Sequence, residues 1–365
     1  MSDKRAQNFS IFVPDLFWPE PDDQAALKDI QCPHLEKLLA RTPLTQMTRE
    51  NGGSDSPESV LFDLAGLSQS LASIRALGED NPLPISEGAW LCADPVHLRF
   101  HHEQIVLADP GAFVLTQDEA TQLVTDLNAM FADIGQFFAP HPERWYVRLH
   151  PDHGAFTTTE LLPLSAVAGR RLQGETLHSQ QGTENQISCQ RRVRQWQNEI
   201  QMWLHAHPLN ELRLSAGKPA INGLWFWGSR GLSTVPDARQ VPFSRIYSYP
   251  HHVLARGLAK SNALPWETLA GMKADGVQKV NALLVWDDLV KPTLYEDAAA
   301  WRAAVESFDR EWLAPLLAGK TPFTLVISSI YGTFRLNSCD YRGWQFWKPI
   351  KPLGDIVQNL ALARS

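Results

Sequence analysis

The sequence predicts an α/β protein with a doubly wound core, and three features predict it. Short apolar runs that read as buried strands (Ser244 to Tyr249, Val280 to Val285, Pro322 to Ser328) alternate with helical stretches near His252 to Lys260 and Asp297 to Leu317. Strands and helices in alternation build a mostly parallel sheet covered by helices. A further apolar run, Phe9 to Val13, ends in Pro14-Asp15, a strand delivered to a loop. Between them, Ala89 to about Gly169 has the texture of a β-β-α-β unit, which predicts a second, smaller α+β domain.

Taken in order, Pro33 to Leu39 reads as a short helix and Asn51 to Pro57 as a loop of turn formers. Ser59 to Leu67 reads as a helix. GAWLCADPVHLRFHHEQIVLADP alternates like paired strands with a Pro-bounded turn. Thr116 then opens a helix, with Glu119 at the capping-box position and a 3.6-residue stripe of Ala120, Leu123, Val124, Leu127 and Phe131. Trp145 to His150 is a strand. His178 to Ser188 is polar and aperiodic and reads as a loop. The helix after it carries Val193, Trp196, Ile200, Trp203 and Leu204 on one face. Gly343 to Lys348 alternates, which predicts a strand carrying Trp344 and Trp347, an aromatic pair for a protein partner if exposed.

Composition narrows the function classes. The chain has 365 residues, 44% hydrophobic and 20% charged, with a net charge of −7 and thirteen Trp. No basic cluster exceeds Arg191-Arg192-x-Arg194, so neither nucleic acid nor an anionic membrane is an expected partner. Cys32, Cys92, Cys189 and Cys339 form no C-x-x-C pair and read as buried free thiols. The start lacks an apolar run with a cleavage site, and no run of about 18 apolar residues occurs. A reducing cytoplasm is the expected location.

The most specific stretch is Glu199 to Gly231. It contains His207-Pro208-x-Asn210-x-x-Arg213 and then Ala220-x-Asn222-x-x-Trp225-x-Trp227-Gly228. This pairing resembles the archaeal-type, cofactor-independent phosphoglycerate mutases of the alkaline phosphatase superfamily. It also resembles their bacterial relatives of the "regulation of pathogenicity factors E" type. The resemblance implies an alkaline-phosphatase-like core over 1–88 and 175–365, with an inserted α+β domain over 89–174. It implies Asn210, Arg213 and Asn222 as substrate-binding residues, joined by Arg99, which falls on the family's F-R-C-N motif although Phe100-His101 follows it here.

The family's phosphoryl chemistry uses two divalent metals, Mn or Zn, that activate a Ser or Thr nucleophile. Four patches supply the ligands. Asp15 fits the first, the Asp after strand one. Gly53-Ser54-Asp55 fits the second, with Ser54 as nucleophile and Asp55 beside it; the same three residues also suit a turn that caps the next helix. At the third, Asp287 and Asp288 follow their strand, but the expected His is replaced near Lys291-Pro292, and a lysine ammonium is no metal ligand. At the fourth, TLVISS runs into Ile330-Tyr331-Gly332 where strand-Asp-His should stand, and no His follows His252. His101-His102 and His251-His252 are adjacent pairs, which on a strand point to opposite faces, so they are not expected to chelate one ion.

These residues predict a phosphoglycerate-mutase-like protein that has lost most metal ligands. It would be non-catalytic and regulatory, binding a small phosphorylated ligand or a protein partner, with no resident cofactor. The alternative is an active metal-dependent phosphoglycerate mutase or phosphatase using Ser54, with Mn or Zn.

Overall fold

A computed structural model describes residues 9–47, 56–66, 70–81, 83–85, 88–101, 104–108, 111, 113–158, 161–168, 171–172, 183–229, 242–275, 281–344 and 347–364. The strands among them, in chain order, are β1 (Ser10–Pro14), β2 (Thr45–Gln46), β3 (Trp90–His101), β4 (Gln104–Ala108), β5 (Gly135–His141), β6 (Arg144–Leu149), β7 (Arg171–Leu172), β8 (Gly223–Trp227), β9 (Arg245–Ser248), β10 (Trp266–Thr268), β11 (Ala282–Val285), β12 (Thr324–Ser329) and β13 (Gly332–Asn337). No helix among the described residues is long and apolar enough to cross a membrane. The fold is α/β. The chain divides into two compact units, Met1–Gly66 with Arg239–Ala255 and Asn262–Ser365, and Leu67–Ala238 with Arg256–Ser261.

The first unit holds a seven-stranded sheet in the order β10-β9-β11-β1-β12-β13-β2. β10, β9, β11, β1 and β12 run parallel, while β13 and β2 pair antiparallel. Every residue of β1 and β11 is buried, as in parallel strands covered on both faces. On one face Ile11, Val13, Leu284, Leu325 and Ile327 pack with Leu35, Leu38, Trp301, Val305, Phe308 and Val357. Each such fully buried side chain contributes about 1.5–3 kcal/mol.

The expected helix after Asp297 is present, capped by that Asp, but it is not uniform. It runs α over Ala298–Phe308, takes a π turn over Asp309–Leu313, and resumes over Ala314–Ala318. The π turn buries Asp309. Its Oδ1 accepts from Leu35 N at 2.6 Å, and its Oδ2 meets His34 Nδ1 at 2.9 Å. The helix Pro33–Arg41 has no cap of its own, since Cys32 offers no side-chain bond. Asp309 therefore supplies the missing carboxylate from another helix.

The second unit is an antiparallel sheet, β5-β6-β3-β4-β7, with β8 also on β3. β3 is long enough to pair β6 through Trp90–Cys92, β8 through Cys92–Val96 and β4 through His97–His101. The helix Gln117–Met130 opens with the expected Thr116/Glu119 capping box. Because β8 pairs with β3, residues 184–229 lie in this unit rather than with the first sheet. The unit is thus wider than the stretch 89–174 expected to form the smaller domain.

Three local expectations are corrected. The stretch 178–188 is not all loop: a helix spans Glu184–His205, opened by a second capping box from Thr183 to Gln186 that the polar composition masked. Trp344 and Trp347 lie in turns, not on a strand; they are 63% and 61% exposed, with ring centroids 5.3 Å apart. Cys339 is exposed, while Cys32, Cys92 and Cys189 are buried as expected.

Within the second unit, Gly257 brings its backbone hard against the helix Leu71–Gly78. A Cβ there would stand 1.8 Å from the Ile74 carbonyl oxygen. Gly257→Ala should therefore cost about 3 kcal/mol of stability, outweighing the roughly 1 kcal/mol that Ala gains as a helix former. Equilibrium denaturation measures this, and a variant as stable as the parent would refute the close approach.

Candidate functional site

In a parallel sheet the residues just beyond the carboxyl ends of adjacent strands converge on one edge, where ligands of open α/β folds bind. In the first unit that edge is formed by β9, β11, β1 and β12. β1 delivers Asp15, which sits at φ +56° and donates its N–H to the Ser328 carbonyl at 2.7 Å. Left-handed backbone is uncommon for a non-glycine residue, though Asp tolerates it better than most. β11 delivers Asp287 and Asp288. β9 delivers Tyr249, His251 and His252. β12 delivers Ser328, whose Oγ is shut from solvent with no hydrogen-bond partner.

Asp287 is the centre of this edge. Its Oδ2 lies 3.7 Å from His251 Nε2 and 3.8 Å from His252 Nε2. Its Oδ1 is enclosed and unpartnered. Burial works against its charge, but His252 and His251 outweigh that and hold the carboxyl below its ordinary range. His251, largely exposed, is pushed upward by the neighbouring Asp287 carboxylate. It stacks on the Tyr249 ring at 5.4 Å, and Tyr249 donates its hydroxyl to Asp288 Oδ2 at 2.5 Å. Burial and that carboxylate push the Tyr249 phenol up. His252 accepts from Ala255 N through Nδ1 at 3.1 Å, capping the helix Val253–Ser261. Its neutral ring therefore carries the proton on Nε2, the nitrogen nearest Asp287. The edge pairs a carboxylate held below its ordinary range with two imidazoles, and so can hold or move a proton and contact a small anion.

Tyr249, His251 and His252 were not expected at a site. Both histidines reach the same carboxylate because they follow the end of β9 in a turn, so the strand rule of opposite faces does not apply to them. The available signal was Y-P-H-H directly after a buried parallel strand. Ser54 and Asp55 lie outside the described residues. The helix Pro57–Ala65 that follows them is capped by Ser56, whose side chain accepts from Ser59 N. Among the described residues no three His, Cys, Asp or Glu side chains converge as a metal-binding group.

The four residues implied as substrate ligands belong to the second unit, and three of them spend their polar atoms on backbone. Asn210 is buried; its Nδ2 donates to the Leu204 and Ile221 carbonyls at 2.7 and 2.8 Å, and its Oδ1 accepts from Ile221 N at 2.8 Å. Arg213 is buried, donates to the Pro219 and Val114 carbonyls, and pairs with Glu119 at 2.9 Å. Asn222 accepts from Leu98 N and donates to Leu98 O. Arg99 is exposed on β3, opposite Val106 of β4. His207 caps the helix Pro208–Ser215 and meets Asp126 at 3.1 Å. Trp227 donates to Asp94 at 2.8 Å, and Trp225 to the Leu162 carbonyl at 2.9 Å.

No family model matches the sequence, and no curated protein matches it. Solved structures similar to it include the following two. One is the PH0037 protein from Pyrococcus horikoshii, at 13% identity over 90% of this chain and 87% of the other, with a TM-score of 0.49. The other is the cofactor-independent phosphoglycerate mutase from Thermoplasma acidophilum DSM 1728, at 14% identity over 96% and 100%, with a TM-score of 0.39.

Two outcomes follow. Asn210→Ala orphans one N–H and two carbonyls in a buried place and should cost about 3 kcal/mol in equilibrium denaturation; an unperturbed midpoint would mean that Asn210 is free for a ligand. The Asp287–His251 pair has a definite pH window. Asp287, depressed, contributes stability that is present above its ordinary 3.8 and lost as pH falls through its lowered value. His251, raised, contributes stability that is present below its ordinary 6.5 and lost as pH rises through its raised value. Asp287→Asn should thus lower the His251 pKa in an NMR titration, and an unmoved titration would dismiss the pairing.

Proposed function

We propose that this chain is a phosphoglycerate-mutase-like protein, with an alkaline-phosphatase-like core and an inserted smaller domain, that has lost its phosphoryl-transfer centre. It acts in the cytoplasm as a non-catalytic regulatory protein that binds a small phosphorylated ligand or a protein partner. The observation that carries this is the connection after β12. Ser329 pairs directly with Gly332 across a two-residue turn, Ile330-Tyr331. In the mutases that this sequence resembles, a loop here bears Asp and His ligands. Tyr331 instead turns inward and donates to the Trp18 and Pro19 carbonyls at 3.0 and 2.9 Å. A turn this short, with its one functional side chain committed to the core, leaves no position for two ligands.

The second reading is an active mutase or phosphatase with Ser54 as nucleophile. It is favoured by His251 and His252, which stand beside Asp287 where imidazoles lost elsewhere would be needed.

Protein purified with Mn²⁺ and Zn²⁺ supplied, then assayed by elemental mass spectrometry and with 3-phosphoglycerate, separates the two. We expect well under about one metal ion per chain and no turnover above background, unchanged by Ser54→Ala. Stoichiometric metal with turnover that Ser54→Ala abolishes would establish the second reading.

A further inference from the structure

The opposite end of the same sheet holds a cavity that none of the residues above explains. It has a volume of about 640 Å³ and opens between the helix Pro33–Arg41, the helix Ala314–Ala318 with the link into β12, and the segment after β13. That volume falls in the range of small-molecule sites, about 300–1,000 Å³.

Its lining divides into two kinds of surface. Leu316 and Leu317 form an apolar wall, while His34, Lys37 and Lys320 bring cations or potential cations. No Asp or Glu lines the cavity. This runs against the composition of the chain, in which 40 acidic residues outnumber 33 Lys and Arg. Lys37 stands three residues after His34, one turn along the same helix face.

Two features hold these groups where a ligand would use them. Asp309, buried in the π turn, takes the His34 Nδ1 at 2.9 Å, which fixes the ring and leaves Nε2 for the cavity. π turns inside α-helices recur at functional sites. Lys320 sits at φ +51°, left-handed backbone normally given to glycine. Gly319, next to it, does not take that conformation. The Thr321 N–H donates to the Leu316 carbonyl at 3.0 Å, closing the helix end around the lysine. With the Lys320 N–H donating to the Leu317 carbonyl at 3.2 Å, this is an ordinary left-handed helix end, and it sets Lys320 at the cavity rim.

We propose that this cavity binds an amphipathic organic anion. The head group, a phosphate or carboxylate, is held among His34, Lys37 and Lys320, and the apolar body lies on Leu316 and Leu317. The site does not depend on the function proposed above, because it uses none of the residues at the carboxyl ends of the strands.

Cys339 gives the test a built-in reporter. It lines the cavity and is exposed, whereas Cys32, Cys92 and Cys189 are buried. Alkylation of the native protein by iodoacetamide, followed site by site with mass spectrometry, therefore reads the cavity. The probe is hexyl phosphate, with inorganic phosphate and hexanol as comparators. Hexyl phosphate should slow alkylation of Cys339 about tenfold at about ten times its dissociation constant. Neither comparator should do so at the same concentration. Lys37→Glu with Lys320→Glu should abolish the protection, and the milder Lys37→Gln with Lys320→Gln should weaken it. All four changes are at exposed positions and should leave the thermal midpoint in place. No protection by millimolar hexyl phosphate would overturn the proposal. So would equal protection by hexanol or by inorganic phosphate, or protection that survives in the folded glutamate variant.

Discussion

The burial of β1 between β11 and β12 is the constraint on which the first unit depends. A parallel strand with every side chain buried cannot slip, because a shift by one residue would exchange its two faces. Phe12 is thereby fixed opposite Val285 and Val326. The same register sets where each strand stops, so Asp15 and Asp287 emerge beyond the ends of neighbouring strands and Ser328 stands in the last rung that β12 shares with β1. The indole of Trp301 reinforces the arrangement by donating to the Asp15 carbonyl at 3.0 Å. The candidate site is thus a consequence of packing: the core decides which side chains meet, and their chemistry decides what the meeting can do.

The second unit is organised around polar groups taken out of water. Asp94, on β3, accepts from Arg75 at 2.9 Å, from Trp145 N at 3.0 Å and from the Trp227 indole at 2.8 Å. Glu79 takes both arms of Arg144 at 2.8 Å and the Tyr146 hydroxyl at 2.7 Å. Arg75 lies over the rings of Tyr146 and Trp227, at 5.2 and 5.1 Å. Buried charges are tolerated only when their partners are complete. Each of these carboxylates is matched, and the match binds β3, β6, β8 and the helix Leu71–Gly78 to one geometry. Asn210, Arg213 and Asn222 extend the same logic to backbone. A motif that looks chemical in sequence can therefore be a clasp, since a buried Asn serves a peptide group as well as it serves a substrate.

What was legible in the sequence follows from range. The buried strands, the Thr116 cap and the helix stripe at Ala120 to Phe131 are local patterns, and each formed where it was expected. The Thr183 cap was equally local, but the polar run around it concealed the helix start. The π turn at Asp309 had no such signal, because it is imposed by a carboxylate reaching a different helix. The same holds for the site. Asp15, Asp287 and Asp288 each follow an apolar run that reads as a strand, and the resemblance singled them out there. That His251 and His252 would both meet Asp287 required knowing that β9 lies next to β11, a neighbourhood that sequence order does not state. The clasp was invisible for the same reason, since Asn222 acts on Leu98, far away in the chain.

The two ends of the first sheet carry opposite electrostatic designs. At the carboxyl end, Asp15, Asp287 and Asp288 put negative charge among imidazoles, an arrangement that tolerates an anion only when protons or cations are supplied with it. At the amino end of β12, Lys37, Lys320 and His34 line a cavity without Asp or Glu, and the one carboxylate on His34, Asp309, is buried behind its ring. The cation-bearing cavity thus lies at the end where the parallel strands begin, the reverse of the usual order in open α/β folds.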